Sequence, residues 1–146
     1  YAVQNIHMLR GAEHLPPAAF AIRKRLAWHV LHRAAVDFQE GRRGCDVGRL
    51  CRDMDVPREW LDGVVEALQR GGLLVVPEGH QELVMPARPP EDIGMAEVIL
   101  ALENRFGAVE FLERVRLPEE QERELGMAEQ AFAKAIAHSH FGPARD

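Results

Sequence analysis

The feature that most constrains the fold is "DVGRLCRDMDVPREWLDGVVEALQRGGLLVV", residues 46–76. Asp46 can cap a short helix, and Asp55 stands at a corner that needs left-handed backbone, which Asp tolerates better than most residues. A second helix then runs from Pro57 to the glycines at positions 71 and 72. Two helices joined by such a short corner predict a helix-turn-helix.

Apolar residues recur at helical spacing in both helices, so each helix is expected to turn one face to a core. The second helix is followed by an apolar run, a turn at residues 78–80 and another apolar run. This pattern predicts a β-hairpin, the wing of a winged helix. The predicted inward residues of the two helices are Val47, Leu50, Cys51, Met54, Trp60, Leu61, Val64, Val65 and Leu68.

Helical patterns also flank this unit. Residues 17–40 predict a long first helix that stops at Gly41. A proline-rich strap leads to a helix over residues 93–106, and Pro118 starts a last helix with a narrow apolar stripe, suited to packing on a neighbouring helix. The stripe of the first helix comprises Phe20, Ile22, Leu26, Ala27, Val30, Leu31, Ala34 and Phe38, and that of the last comprises Leu125, Ala128, Phe132, Ala135 and Ile136.

The length of 146 residues and a hydrophobic fraction of 47% suit one ordinary core. We expect a mainly α protein with a small β-hairpin: a lead-in over residues 1–16, a winged-helix domain over 17–105 and a C-terminal helical extension over 106–146. The sequence has no run of about 18 apolar residues and no signal peptide. Because it starts at Tyr1 rather than Met, we expect an excised fragment.

The charge is divided unevenly along the chain. Through Arg58 there are ten Lys and Arg against six Asp and Glu, whereas from Glu59 onward there are eight against seventeen. This asymmetry suggests that one end faces phosphates, of nucleic acid or of lipid. A charge imbalance that only faces solvent, with no binding partner, explains the same counts equally well.

Charged residues near the predicted helix-turn-helix give two sets of candidate contacts. The candidate contacts for nucleic acid or phosphate are Arg42, Arg43, Arg49, Arg52 and Arg58, and those for a membrane surface are Arg23, Lys24 and Arg25. The second helix also exposes Glu59, Asp62 and Glu66, and each acid facing a phosphate opposes binding by something on the order of a kcal/mol. Sequence-specific DNA binding is therefore the less favoured interpretation.

The histidines and acids do not form a catalytic pattern. His29 and His32 are three apart on a helix, as a metal pair can be, but no third ligand is placed with them. His138 and His140 are typical surface histidines, and the acids within 119–124 are typical of a solvated helix start. We expect no catalytic, cofactor or metal site.

Cys45 and Cys51 are the two cysteines, and they lie six residues apart. This spacing is neither that of a CxxC motif nor that of a zinc site. We expect two reduced thiols, with Cys51 in the core.

Residues 46–104 resemble the winged helix of the iron-sulfur-type bacterial repressors. The resemblance lies in the stretch quoted above and in "ARPPEDIGMAEVILALEN", a proline strap followed by a helix ending in "LE". It implies a DNA-binding transcription regulator. The cluster cysteines that those repressors carry between wing and last helix have no counterpart here, since no cysteine follows Cys51.

A second resemblance spans residues 1–104. The lead-in "YAVQNIHMLRGAEHLPPAAFAIRKRLAWHVL" and the winged helix are similar to the cytoplasmic C-terminal region of the YihY/BrkB family of bacterial inner-membrane proteins, once called ribonuclease BN. The resemblance implies membrane helices upstream of Tyr1, a juxtamembrane position for the lead-in over residues 1–16 and a place on the cytoplasmic side of the inner membrane. The basic "RKR" behind the lead-in fits that placement, because such loops are rich in Lys and Arg.

Three functional hypotheses follow. The favoured one is a non-catalytic winged-helix module of a YihY/BrkB-like membrane protein that serves protein contact or regulation. The alternative is a DNA-binding regulator that dimerises through its C-terminal helices. The third, a fragment of a tRNA-processing ribonuclease, lacks a recognisable hydrolase pattern. The expected partners are the membrane portion of the same chain, a second copy and an anionic lipid surface, with DNA undecided.

Overall fold

The computed structural model describes residues 18–103 and 113–140. Within these ranges the chain forms five α-helices and three short strands, with a 3-10 turn at Pro90–Asp92. In chain order the elements are α1 (Phe20–Gln39), β1 (Cys45–Asp46), α2 (Val47–Met54), α3 (Arg58–Arg70), β2 (Leu74–Val75), β3 (Leu83–Pro86), α4 (Met95–Glu103) and α5 (Glu119–Ala135).

Helix α1 is the centre of the core. Its middle turns bury a stripe at helical spacing, which contacts α3, α4 and the strands β1 and β3. The predicted stripe was wrong at two positions, because Ile22 is 38% exposed and Phe38 is 48% exposed. Phe20, at the first turn of α1, packs against the core as predicted. At 20 residues α1 is about 30 Å long, and the exposed Phe38 lies in its last turn.

The corner between α2 and α3 confirms the predicted helix-turn-helix. The Asp46 side chain accepts a hydrogen bond from the Arg49 backbone N–H at 2.9 Å and caps α2. Asp55 ends α2 in the left-handed conformation, with φ 53° and ψ 51°. Pro57 then precedes the first turn of α3, and Gly71 ends that helix.

The wing is the antiparallel pair of β2 and β3, in which Leu74 faces Pro86 and Val75 faces Met85. A strand not predicted from the sequence, β1, pairs with the other side of β3, so that the sheet order is β1-β3-β2. Two residues are too few to show the alternation that reveals a strand. The fold class, mainly α with a small β element in a winged helix, is confirmed.

Helix α4 follows the proline strap and buries Val98, Ile99 and Leu102. The Glu97 carboxylate accepts hydrogen bonds from Arg88 Nη2 at 2.7 Å and from the Gly94 N–H at 3.0 Å. These two bonds hold the pKa of Glu97 below its ordinary value, and His140 adds a smaller attraction. The expected continuation of this helix to residue 106 lies outside the described residues.

No residue of helix α5 is buried, so the apolar stripe predicted for it lies on the surface of the described structure. The segment after it returns to the start of α4, where the Met95 N–H donates to the Ser139 carbonyl at 2.9 Å and Gly94 forms a β-bridge with His140. The lead-in, residues 104–112 and residues 141–146 lie outside the described ranges, and the domain boundaries stay predictions. No described helix combines the length and apolar character that a bilayer span requires.

The contact between the end of α3 and α4 gives a first prediction. A Cβ added at Gly71 would lie 2.8 Å from the Cβ of Ala101, which cannot move away without shifting α4. Gly71→Ala should therefore lower the free energy of unfolding by about 1–3 kcal/mol, measured by urea unfolding followed by circular dichroism.

Gly126→Ala is the matched control, because a Cβ at Gly126 meets no described atom within 4 Å. Its helical position should leave the free energy of unfolding unchanged or raise it by up to about 1 kcal/mol. Equal losses in the two variants would contradict close packing at Gly71.

Candidate nucleic-acid interface

Helix α3 is the element that would enter a major groove in a winged helix, and its outer face is acidic. Leu61, Val64 and Leu68 are fully buried against the core because they recur at helical spacing. Periodicity therefore turns the opposite side of the helix outward. The exposed residues of α3 are Glu59, Asp62, Glu66, Gln69 and Arg70.

The two arginines of α3 are both paired with acids of the protein. Arg58 donates from Nε to Asp62 at 2.7 Å, and from Nη1 and Nη2 to the two carboxylate oxygens of Glu82 at 2.8 and 3.2 Å. Arg70 Nη2 lies 2.7 Å from Glu66 Oε1. The bonds to Glu82 and Asp62 raise the pKa of Arg58 above its ordinary value, so it is a permanent cation that is already neutralised.

Glu82 belongs to the wing, so this ion pair joins the wing to α3. The Glu82 carbonyl also accepts a hydrogen bond from the Val47 N–H at 2.9 Å, which fixes the base of the wing against α2. The segment 73–86 contains no Lys or Arg, and Glu78 and Glu82 are both exposed on it. The wing therefore adds negative charge beside the acidic helix and supplies no cation for a phosphate.

Arg42 is the second predicted contact that the structure finds paired. Its Nη1 lies 3.3 Å from Oδ1 of Asp37, and its Nη2 lies 2.9 Å from Oε2 of Glu40. Asp37 is only 4% exposed and is also paired with Arg33, so Arg42 helps to neutralise a buried carboxylate. Binding a phosphate with Arg42 would weaken that compensation.

Arg43, Arg49 and Arg52 remain as the candidate phosphate contacts. All three are exposed, and none forms an ion pair with another residue of the described ranges. They lie on α2 and the loop before it, next to the corner rather than on the helix that would reach the bases. This position suits backbone contact better than base contact.

The candidate membrane contacts lie at the start of α1. The Arg23 guanidinium and the Lys24 ammonium both lie 5.3 Å from the centre of the Phe20 ring, within cation–π range. Arg25 Nη1 donates to the Ala21 carbonyl at 3.2 Å and is exposed. The three cations therefore share one end of α1, as the sequence predicted.

The cysteines are both free and both buried, and the predicted place of Cys51 in the core is confirmed. Burial raises the pKa of Cys45 to about 12, and the nearby Asp37 carboxylate adds to the effect. Burial also raises the pKa of Cys51. Thiols with raised pKa values form little reactive thiolate near neutral pH, so neither suits nucleophilic chemistry.

His29 and His32 lie on the exposed side of α1, and both line a cleft there together with His140. The return of the chain to α4 brings His140 to this cleft, although it lies more than a hundred positions further along the sequence, and no sequence spacing could reveal that. Within residues 18–103 and 113–140, no group of three or more His, Cys, Asp or Glu is placed to hold a metal ion.

The comparisons with known proteins show the fold. No protein-family model and no curated protein matches the sequence. CymR of Staphylococcus aureus aligns with a TM-score of 0.59 at 18% identity over 86% of this chain and 98% of that chain. IscR of T. potens aligns with a TM-score of 0.59 at 17% identity over 90% of this chain and 86% of its own.

CymR (YrzC) of B. subtilis, described as its global cysteine regulator, also aligns with a TM-score of 0.59, at 16% identity over 87% of this chain and 94% of that chain. The resemblance to the winged helix of bacterial repressors is therefore confirmed at the level of the fold. The resemblance to the YihY/BrkB cytoplasmic region stays a prediction.

The pairing of Arg58 gives a second prediction. In the double variant Asp62→Asn/Glu82→Gln, the Arg58 guanidinium loses both of its anionic partners. The outer face of α3 and the wing together also lose two negative charges. The affinity for random duplex DNA at low salt should then rise by roughly tenfold or more, measured by fluorescence anisotropy. Because both carboxylates are exposed, the free energy of unfolding should fall by less than about 1 kcal/mol.

Glu119→Gln/Glu129→Gln on α5 is the control, since it changes the net charge equally but far along the chain from α3. An equal gain in affinity in both double variants would mean that net charge, rather than the acidic face of α3, controls DNA binding.

Proposed function

We propose that this chain is a non-enzymatic winged-helix transcription regulator of the repressor type that acts as a homodimer. Two observations carry the proposal. The winged helix is followed by a long helix, α5, whose apolar stripe is exposed, and the likeness to CymR of Staphylococcus aureus extends over 98% of that chain. A DNA-binding role was the second hypothesis drawn from the sequence, and the likeness to regulators favours it over the membrane-protein hypothesis.

Helix α5 supports a dimer because, among residues 18–103 and 113–140, nothing buries its apolar stripe. Leu125 is 47% exposed and Phe132 is 51% exposed, and these residues lie seven apart on one face. Burying a large apolar side chain contributes about 1.5–3 kcal/mol, so pairing of two such helices would stabilise them substantially. A second copy of α5 supplies a surface of matching shape and periodicity.

The charges of the outer face set the character of the DNA contact. Arg43, Arg49 and Arg52 are available for phosphates, whereas a protein that binds DNA tightly makes about six to ten phosphate contacts. A dimer would present two copies of these three arginines, which reaches the lower end of that range. The affinity is therefore expected to depend on dimerisation and to be weak at physiological salt.

Selection of binding sites from a random duplex pool tests the regulator. We expect a recurrent sequence bound at least about a thousandfold more tightly than random duplex. Arg49→Gln/Arg52→Gln should weaken binding to both kinds of duplex, and should reduce the slope of log affinity against log salt by about 2 per protomer. If no sequence is enriched, the proposal is wrong.

Charge placed in the α5 stripe tests the dimer. Leu125→Glu/Phe132→Glu should convert a dimer to a monomer in sedimentation equilibrium, because four carboxylates would face each other across the interface. Gln130→Glu, on the opposite side of α5, is the control and should leave the dimer intact. A wild-type chain that is monomeric at high concentration would contradict the proposal.

The pairing of Arg58 with Glu82 and Asp62 favours a second candidate, the protein-contact module of a YihY/BrkB-like membrane protein. A face whose arginines are neutralised by its own acids suits a basic protein surface better than a phosphate backbone. In this candidate Arg23, Lys24 and Arg25 would face the anionic surface of the inner membrane. Failure of both site selection and duplex binding at low salt would favour this module over the regulator.

A further inference from the structure

A cleft of about 680 Å³ lies beside α1, away from the outer face of α3. One wall is the exposed side of α1, and the other is formed by the start of α4 and the segment that follows α5. The described residues that line the cleft are Lys24, Arg25, Trp28, His29, His32, Met95 and His140.

The polar groups of these lining residues are cationic or potentially cationic. Lys24 and Arg25 carry permanent charges at neutral pH, and the three imidazoles donate hydrogen bonds in either protonation state. The carboxylate of Glu97, which interacts with His140, is already held by Arg88 at 2.7 Å and by the Gly94 N–H at 3.0 Å. Among the described lining residues there is no carboxylate to oppose an anion.

The remaining lining residues, Trp28 and Met95, are apolar. An indole gives a broad flat surface and a thioether adapts to an irregular one, so together they favour a planar apolar group. The cleft has the volume of a small-molecule site, which lies at roughly 300–1,000 Å³, and combines apolar walls with a few polar groups in the same way.

We propose that this cleft binds a small organic anion, a carboxylate or a phosphate ester, that carries a planar apolar part. The anionic group lies between Lys24, Arg25 and the imidazoles, and the planar part lies against Trp28. The proposal rests on these residues alone, and it does not require that the protein binds DNA or forms a dimer.

Phenyl phosphate is the probe, because it combines a dianion with one aromatic ring. The two tryptophans of the chain, Trp28 and Trp60, give separate indole N–H signals in ¹H–¹⁵N spectra, and only Trp28 lines the cleft. Titration should shift the Trp28 signal saturably, with a Kd of about 1 mM or tighter, and leave the Trp60 signal in place. Phenol, which keeps the ring and lacks the dianion, should bind at least about tenfold more weakly.

Lys24→Gln/Arg25→Gln should weaken phenyl phosphate binding by about tenfold or more. Arg49→Gln/Arg52→Gln removes the same charge from α2 and should leave the Kd unchanged. An unchanged Trp60 signal in each variant verifies that the fold is intact.

Four results would overturn the proposal. The first is the absence of a saturable Trp28 shift at about 10 mM probe, and the second is equal binding of phenol and phenyl phosphate. The third is an equal loss of affinity in the two double variants. A Trp28 shift with duplex DNA but not with phenyl phosphate would also overturn it, and would assign the cleft to a nucleic-acid backbone instead.

Discussion

The packing of α1 against α3 is the contact on which the rest of the described structure depends. Leu26, Val30 and Leu31 of α1 are buried in the same cluster as Leu61, Val64 and Leu68 of α3. Each such side chain contributes about 1.5–3 kcal/mol when fully buried, and the sheet and α4 close the same cluster. The orientation of α3 follows from this burial, because turning its apolar side inward leaves its acids on the surface.

Much of the fold could be predicted from local sequence. The capping role of Asp46, the left-handed corner at Asp55 and the inward positions of α3 each depend on residues within a few positions of one another. Strand β1 could not be predicted, because two residues carry no period and the pairing of Cys45 with Val84 is a tertiary contact. The exposure of Ile22 and Phe38 has the same origin: periodicity gives the direction of a side chain but not how far the core extends.

The candidate site likewise has a part that could be predicted from local sequence and a part that could not. The acidity of α3 could be predicted, because Glu59, Asp62 and Glu66 fall between apolar positions of one helix. Only one of the two partners of Arg58 could be predicted. Asp62 is four residues away on the same helix, whereas Glu82 lies 24 residues further along the chain, in the wing. Likewise, His29 and His32 could be paired from their spacing, whereas only the return of the chain from α5 brings His140 to them.

The hydrogen bond between Met95 and Ser139 holds the short segment that follows α5, and with it the C-terminal end of that helix, near the start of α4. At 17 residues α5 is about 25 Å long, so its first turn lies that far from the fixed end. A rotation of about 10° at the fixed end would displace the first turn by about 4 Å. Small adjustments where α4 begins are thereby amplified along α5, and in the proposed dimer the separation of the two winged helices would change with them.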